Sequence, residues 1–273
     1  MLLENKNAVV YGGGGKIGGG VARTFAGEGA RVFLAGRTRE TLEGVAADIA
    51  DAGGSAEVAE VDALDERAVE EHIAEVVEKV GSIDVSFNAI SIRGDLQGTP
   101  LIEMTTEDFA LPIKVGTTAH FLTARAAGRR MVERGSGVIL SLSTPAAALS
   151  ARDRRWFHRT GGFGLACGAI EALTKQLAGE LGPRGVRVVC LMPDAIPEIW
   201  PVGVEDGTSE ANEGEDTAGA DARRALAYMQ DGTLLGRLPR LQEVANAAAF
   251  IASDRAGAIT GTVANLTCGS VMV

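Results

Sequence analysis

Near its N-terminus the chain reads Ala8-Val9-Val10-Tyr11-Gly12-Gly13-Gly14-Gly15-Lys16-Ile17-Gly18, an apolar run followed by a cluster of glycines. A helical pattern then continues from Ile17 to about Glu28. A helix that starts directly after a glycine loop suits phosphate groups, because its first turn carries unpaired N–H groups and the positive end of the dipole. The stretch therefore predicts a dinucleotide-binding loop, and the alternative is a merely flexible glycine turn.

Short apolar runs alternate with helical patterns along the rest of the chain. The expected strands are residues 8–11, 31–35, 56–61, 83–88, 137–142, 186–191 and 262–266, and the expected helices are residues 17–28, 41–50, 66–80, 106–131, 163–181 and 243–251. This alternation is typical of a parallel sheet with helices on both faces. We therefore expect an α/β fold, a Rossmann-type doubly wound sheet of about seven strands. No linker rich in proline and serine divides the chain, so residues 1–273 are expected to form a single domain.

The composition of the 273 residues excludes several classes of protein. Hydrophobic residues make up 46% of the chain, which is too high for a disordered protein. The net charge of −10 has the wrong sign for sequence-independent binding to nucleic acid or to an anionic membrane. No apolar stretch approaches the roughly 18 residues that a membrane-spanning helix needs. The three cysteines form no CxxC pair and the first residues are unlike a signal peptide, so we expect a cytoplasmic protein without a metal site.

The end of the second expected strand indicates which nicotinamide cofactor the loop would bind. An acidic residue there would accept a hydrogen bond from a free ribose 2′-hydroxyl, as in NAD-binding proteins. The chain instead reads Ala35-Gly36-Arg37-Thr38-Arg39. The Arg37 guanidinium is suited to charge-assisted hydrogen bonds with a 2′-phosphate, and Lys16 follows the glycines nearby. The pattern predicts NADP(H), and the alternative is that Arg37 is a solvated residue at the start of a helix.

Several segments resemble the short-chain dehydrogenase/reductase family, over nearly the whole chain. The glycine loop is similar to the family's TGxxxGxG motif, with Tyr11 in place of Thr and Lys16 in place of the middle Gly. Residues 62–63 are similar to its adenine-contacting Asp pair, and residues 87–91 are similar to its NNAG segment. Residues 177–188 are similar to the stretch before its sixth strand, and residues 236–261 are similar to its C-terminal part. Together with Arg37, the resemblance implies cofactor contacts at Gly12, Gly15, Lys16, Ile17, Gly18, Asp62, Ala63, Asn88, Ala89, Ile90, Pro193, Asp194 and Ile196.

The catalytic motif of that family is not intact in this chain. In the family a Tyr, a Lys four residues later, a Ser and an Asn form the proton-transfer site, and the ammonium group lowers the pKa of the Tyr hydroxyl. The Tyr and Lys positions here are Phe163 and Cys167, the Asn position is Gly116, and the Ser position is Thr144. No Tyr lies between positions 11 and 228, so a shift of register does not restore the motif. We predict a divergent member that lacks the Tyr/Lys pair.

The segment between Thr144 and Phe163 offers a replacement proton donor. It is longer than the family spacing, and residues 152–159 contain four arginines and His158. An unperturbed histidine titrates near neutrality, so His158 is a candidate general acid, and the alternative is an exposed loop residue. The arginines either bind an anionic substrate group or are solvated. His120, on the long helix, either fills the space of the absent Asn or is a packed, satisfied histidine.

Three functions are compatible with these residues. The first is an atypical NADP(H)-dependent oxidoreductase that reduces a carbonyl or conjugated alkene of a small molecule, with Thr144, His158 or water as the proton source near Phe163. The second is a non-redox cyclase, dehydratase or isomerase on the same scaffold. The third is a catalytically silent NADP-binding homologue. The resemblance also implies a homodimer or homotetramer.

The negative charge of the chain is concentrated in one segment. Between Val188 and Ala222 there is no Lys or Arg but there are nine acidic residues, which account for nearly all of the net charge of −10. The segment lies where the resembled family has its substrate-binding loop. Its content of Gly, Ser, Thr and Asn is typical of weak order. We predict that residues 194–222 form a flexible acidic lid that faces the arginine-rich segment across the cleft.

Overall fold

The computed structural model describes residues 1–150, 159–200 and 217–272. Within these residues the strands are β1 (Asn7–Tyr11), β2 (Arg31–Gly36), β3 (Ser55–Glu60), β4 (Val85–Asn88), β5 (Gly137–Leu142), β6 (Val186–Pro193) and β7 (Thr262–Leu266). The helices are α1 (Lys16–Gly27), α2 (Arg39–Asp51), α3 (Glu66–Val80), α4 (Thr106–Arg134), α5 (Ala146–Ser150), α6 (Gly161–Leu181), α7 (Thr217–Asp231) and α8 (Leu241–Ala252). Over the described ranges, no helix has both the length and the apolar character needed to cross a membrane.

The strands form one parallel sheet in the order β3-β2-β1-β4-β5-β6-β7. The chain runs outward from β1 through β2 to β3, then returns to the centre and runs outward from β4 to β7 on the other side. The winding direction therefore reverses between β1 and β4, and a crevice opens there at the carboxyl ends of the strands. This arrangement confirms the predicted Rossmann-type doubly wound sheet.

The inner strand β1 is covered by apolar layers on both faces. Val10 packs in one layer with Phe25 of α1, whereas Val9 and Tyr11 pack in the opposite layer. Burial on both faces explains why β1 is a continuous apolar run rather than an alternating one. In the second layer the Tyr11 hydroxyl lies 3.2 Å from Nδ1 of His72 on α3, and both side chains are buried. These contacts hold the end of β1, where the glycine loop begins.

Two helices, α5 and α7, have no counterpart among the helices expected from the sequence. The five residues of α5 are too few for a helical period to be recognised. α7 begins in the acidic, glycine-containing segment that we predicted to be a flexible lid. At the other end of that segment, Pro197–Ile199 form a 3-10 turn. Both ends of the predicted lid therefore have defined structure, while its middle, residues 201–216, lies outside the described residues.

Candidate active site

The glycine loop lies between the ends of β2 and β4. The N–H groups of Gly12 and Gly13 donate to the carbonyl oxygen of Ala35, at 2.8 and 3.1 Å. Ala89, after β4, donates its N–H to the Tyr11 carbonyl at 2.9 Å. Gly12 has a φ of 76°, and a Cβ there would lie 2.7 Å from the Ala89 carbonyl oxygen. Only glycine suits this conformation and this close approach, so the loop is held against both neighbouring strands.

The first turn of α1 carries the features of an anion-binding helix terminus. Gly15 is the N-cap residue, no side chain caps the helix, and its first turn contains no acidic residue. Gly18 is buried in this turn, and a Cβ there would overlap the carbonyl oxygen of Gly12. Ile17 is partly buried and packs against the core, while Lys16 is exposed. The uncapped turn therefore has N–H groups suited to a pyrophosphate, and its backbone comes close to the loop because position 18 has no side chain.

Arg37 and Asp62 follow the ends of β2 and β3, and both are exposed. Over the described residues, the Arg37 guanidinium has no hydrogen bond or ion pair, whereas Arg39 pairs with Glu43 at 3.2 Å. Asp62 accepts a hydrogen bond from the N–H of Leu64 at 2.9 Å, which shapes the turn after β3. The two arginines at the end of β2 thus differ, because only Arg37 has its charge available to a ligand.

Asn88 is buried at the end of β4 and connects this strand to α4. Its Nδ2 donates to the Thr123 hydroxyl at 2.8 Å and to the Ala119 carbonyl at 3.2 Å, while its Oδ1 accepts from the Ile90 N–H at 3.0 Å. Both amide hydrogens are therefore used within the protein. The side chain positions the backbone of Ala89 and Ile90 at the edge of the crevice.

The positions that correspond to the family's Tyr, Lys and Asn lie in an apolar environment. Phe163 packs against the small core cluster that contains Ile92, Ala166 and Cys167. A Cβ at Gly116 would lie 2.8 Å from Cγ2 of Ile92 and 3.4 Å from Cβ of Ala166. A larger side chain at position 116 would therefore displace its neighbours. The space that an asparagine would need is filled by the side chains around it.

Within the described residues, the Cys167 thiol contacts a hydroxyl and no charged group. Its Sγ lies 3.6 Å from Oγ1 of Thr144, which also accepts from the Ala146 N–H at 3.3 Å. Burial raises the pKa of the Cys167 thiol above its usual range. The thiol is therefore neutral at physiological pH and has no positive charge to act on a neighbouring group. Thr144 remains the partly buried hydroxyl at this end of β5.

A layer of hydroxyl groups beneath Thr144 was not predicted from the sequence. The Ser143 hydroxyl donates to Oε1 of Glu171 at 3.0 Å, and the Thr174 hydroxyl donates to the Ser141 hydroxyl at 3.3 Å. Glu171 follows Cys167 by four residues on α6, so the two lie on one face of the helix. This spacing, together with the hydroxyl residues at the end of β5, is the signal that would have indicated the cluster.

Of the two histidines considered as candidates near the active site, the structure describes only His120. His120 is buried, and its Nδ1 lies 2.9 Å from the Gly116 carbonyl, but its Nε2 has no hydrogen-bond partner among the described residues. Burial lowers the pKa of His120 to about 4, so the ring is neutral near pH 7. It is packed but only half satisfied. His158 and the arginines at 152, 154 and 155 lie outside the described residues.

The end of β6 places a buried carboxylate at the edge of the crevice. Pro193 closes the strand, and Asp194 is only 8% exposed. Oδ1 of Asp194 accepts from the Ala195 N–H at 2.7 Å, while its Oδ2 has no partner in the part of the chain that the structure describes. Ile196 is buried. The Glu198 carboxylate accepts a hydrogen bond from the Leu241 N–H of α8 at 3.2 Å, and the Glu198 carbonyl accepts one from the Lys16 ammonium at 3.4 Å. The segment after β6 is thereby connected to the glycine loop.

These features form a crevice with a glycine loop and an uncapped helix terminus at the reversal point of a parallel sheet, and comparison with known proteins agrees with this fold. A family model described as Enoyl-(Acyl carrier protein) reductase matches residues 15–270. The chain belongs to the short-chain dehydrogenase/reductase family. It is therefore an oxidoreductase of this family that acts on small molecules with a nicotinamide cofactor.

Individual relatives match nearly the whole chain. YxbG of Bacillus subtilis (strain 168), an uncharacterized oxidoreductase, is 32% identical, and the match covers 95% of this chain and 88% of YxbG. A crystal structure of NAD+-bound xylitol dehydrogenase has a TM-score of 0.82 at 25% identity, covering 98% of this chain and 100% of the other. A gluconate 5-dehydrogenase of Burkholderia cenocepacia J2315, in complex with NADP and tartrate, has a TM-score of 0.79 at 25% identity and covers 98% and 96%.

Proposed function

We propose that the protein is an NADP(H)-dependent oxidoreductase that reduces a carbonyl or conjugated alkene of a small molecule, with a proton source other than tyrosine. The observation that carries this proposal is the exposed Arg37, without a partner among the described residues, beside an uncapped glycine loop. The similar solved structures include one with NAD+ and one with NADP, so the residues of this chain decide the preference. A free guanidinium at the end of β2 favours a 2′-phosphate.

The positions of the described residues support cofactor binding along the crevice. The first turn of α1, from Lys16 to Gly18, would hold the pyrophosphate, and Arg37 the 2′-phosphate. The turn at Asp62 and Ala63 would contact the adenine, and Asn88 would position the backbone of Ala89 and Ile90. The segment of Pro193, Asp194 and Ile196 would border the nicotinamide end. The bound nicotinamide supplies hydride transfer, and the protein supplies position and electrostatics.

Proton transfer in this proposal depends on residues outside the family's usual pair. Phe163 has no ionisable group, and the neutral Cys167 thiol supplies no positive charge. The Thr144 hydroxyl is at the position of the family's Ser and would donate a hydrogen bond to a substrate oxygen. The proton would come from His158 or from water, as in the reduction of a conjugated alkene. Phe163 would then form an apolar wall beside the substrate.

The cofactor preference is tested by replacing Arg37. We expect Arg37→Ser to weaken NADPH binding by about 10- to 100-fold, because one charge-assisted contact to the 2′-phosphate is lost. NADH binding should stay the same, and the matched variant Arg39→Ser should change neither, because Arg39 pairs with Glu43. Fluorescence titration with both cofactors measures these affinities. Equal losses for NADPH and NADH would contradict the assignment of Arg37 to the 2′-phosphate.

The reaction itself is tested by following NADPH oxidation with a panel of ketones and conjugated enones. Turnover of at least one class supports the reductase. Tight NADPH binding without turnover of any panel member would instead support the catalytically silent homologue. One observation favours that second candidate, namely the apolar cluster of Phe163, Ile92, Ala166 and Cys167 at the family's catalytic positions.

Restoring the family's pair tests whether the site retains its geometry. We expect Phe163→Tyr combined with Cys167→Lys to raise ketone reduction by about 100-fold, which is the usual contribution of a positioned general acid. The single variant Phe163→Tyr should gain less, because no ammonium group lowers the pKa of the new hydroxyl. Steady-state assays with NADPH measure the rates. A double variant that folds and binds NADPH but gains no activity would show that position 163 does not face the substrate.

Other features of the proposal concern the whole protein. We propose a cytoplasmic homodimer or homotetramer, and exposed apolar side chains such as Phe121 on α4 and Leu165 on α6 support self-association. We also propose that the acidic segment 194–222 closes over the cleft towards the arginine-rich residues 152–159. The described ends of the acidic segment lie at the carboxyl end of β6 and in α7, which is compatible with this position.

A further inference from the structure

We propose that Asp194 anchors a protonated amine of the substrate in a small cavity beside the carboxyl ends of β6 and β7. The inference deepens the proposed function, because it adds a substrate class to the same site. It rests on the buried carboxylate of Asp194, on the charges that surround the cavity and on its position in the sheet.

The carboxylate of Asp194 has an unused hydrogen-bond acceptor. The residue is 8% exposed, and its buried Oδ2 has no hydrogen-bond partner among residues 1–150, 159–200 and 217–272. Its other oxygen is bound to the neighbouring Ala195 N–H at 2.7 Å. A buried carboxylate oxygen without a donor is costly, because it has lost its hydration and has gained no hydrogen bond. A ligand that brings an N–H donor would remove this cost.

The cavity is acidic and partly apolar. It lies between α5, the end of β6, α7 and the C-terminal segment, and it is lined mainly by Leu149, Asp194, Tyr228, Met229, Asp231 and Ser270. Two of these residues carry carboxylates, and none of the described lining residues is basic. Leu149 and Met229 supply apolar surface. This combination suits a cation with a small hydrocarbon body better than an anion or a neutral polyol.

An ammonium group is favoured over a hydroxyl for an electrostatic reason. A hydrogen bond between two charged groups is roughly twice as strong as one between neutral groups. A protonated amine would also be attracted by Asp231, which lines the same cavity and is exposed. A hydroxyl would satisfy Oδ2 of Asp194 but would gain little from the second carboxylate.

The sheet places this cavity on the substrate side of the crevice. Leu142 of β5 is paired with Leu191 of β6, so Thr144 and Pro193 each lie two residues beyond this pair. Adjacent strands are about 4.8 Å apart. Asp194 follows Pro193 directly, so it lies beside the end of β5 that carries Thr144. The glycine loop contributes no residue to the cavity lining. An amine held there would leave the opposite end of a small substrate near Thr144.

The test compares two ligands that differ at a single ring position, 4-oxopiperidinium and cyclohexanone. Binding to the NADPH-loaded protein is measured by ligand-observed NMR titration, which does not need turnover. We expect the wild-type protein to prefer the cation, and Asp194→Asn to weaken its binding by about 10- to 100-fold without affecting cyclohexanone. The matched control is Glu180→Gln, which removes the same charge from the exposed face of α6 and should change neither affinity.

Each other outcome of the binding titration would overturn the proposal. No binding of 4-oxopiperidinium to the wild-type protein, or equal binding of the two ligands, would exclude an amine site. A preference that survives in Asp194→Asn would place the site elsewhere. A loss of NADPH affinity in that variant without a change in ligand preference would assign Asp194 to the cofactor. If the protein prefers the cation but does not oxidise NADPH with any substrate, the amine site is supported and only the reductase activity is rejected.

Discussion

Gly18→Ala will reduce the affinity for NADPH by about 100-fold or more. The added Cβ would overlap the carbonyl oxygen of Gly12, which is backbone and has no rotamer to escape into. Gly12 in turn accepts the Gly15 N–H at 3.0 Å and lies against Ala89. The loop and the first turn of α1 must therefore move apart. The N–H groups of that turn are then no longer positioned together to bind the pyrophosphate. Fluorescence titration with NADPH measures the loss.

A second glycine of the same helix provides the control. Gly27 is the last residue of α1, and a Cβ there would meet no atom within 4 Å. We expect Gly27→Ala to leave NADPH affinity unchanged and to raise the free energy of unfolding slightly, since alanine has a higher helix propensity. Circular dichroism confirms that both variants are folded. If Gly18→Ala binds NADPH like the wild type, the first turn of α1 is not the phosphate site.

The free energy of unfolding will fall by several kcal/mol between pH 7 and pH 4 because two histidines are buried in neutral form. His72 and His120 are 5% and 3% exposed, and burial lowers the pKa of each to about 4. In the unfolded chain a histidine titrates near its ordinary pKa of about 6.5. As the pH falls below about 6.5 the unfolded state therefore binds protons that the native state does not bind. The stabilisation is complete above this pH and declines towards pH 4, by about 2 to 3 kcal/mol for each histidine.

Urea denaturation at several pH values measures this dependence. The variant His72→Asn with His120→Asn keeps an amide near each Nδ1 position, where His72 contacts the Tyr11 hydroxyl and His120 the Gly116 carbonyl. We expect its stability to change much less between pH 6.5 and pH 4, and each single variant to remove about half of the effect. The carboxylates of the protein titrate in all variants, so their contribution cancels in the comparison. An unchanged slope in the folded double variant would contradict the assignment.

Much of the fold could be predicted because its signals are local. β1, the glycine loop and α1 are recognisable within a few residues, since burial on two faces, a tight turn and a helical period each act over short distances. The same holds for the other predicted strands, which all occur in the sheet. α7 was missed because its first residues share the composition of the acidic segment before it. α5 was missed because five residues carry no readable period.

In the candidate site, too, the features with local signals could be predicted, whereas contacts between distant parts of the chain could not. Arg37 follows β2 directly, so its position at the strand end could be predicted from sequence. The contact of Ser143 with Glu171 joins residues 28 positions apart, and no local pattern specifies it. Among the described residues Oδ2 of Asp194 has no partner, and the cavity at Asp194 is formed by four segments that meet only in the folded chain, namely α5, the end of β6, α7 and the C-terminal segment.

The amino-acid sequence by itself determined the alternation of strands and helices, the glycine loop before α1, the basic residue after β2 and the absence of a tyrosine near Phe163. These depend on residue type and on spacing along the chain. Only the tertiary structure decided that side chains fill the space around Gly116, that the Cys167 thiol is neutral, and that Asp194 is buried with no second partner among the described residues. These are effects of packing, because burial and the distance between groups exist only once the elements are assembled.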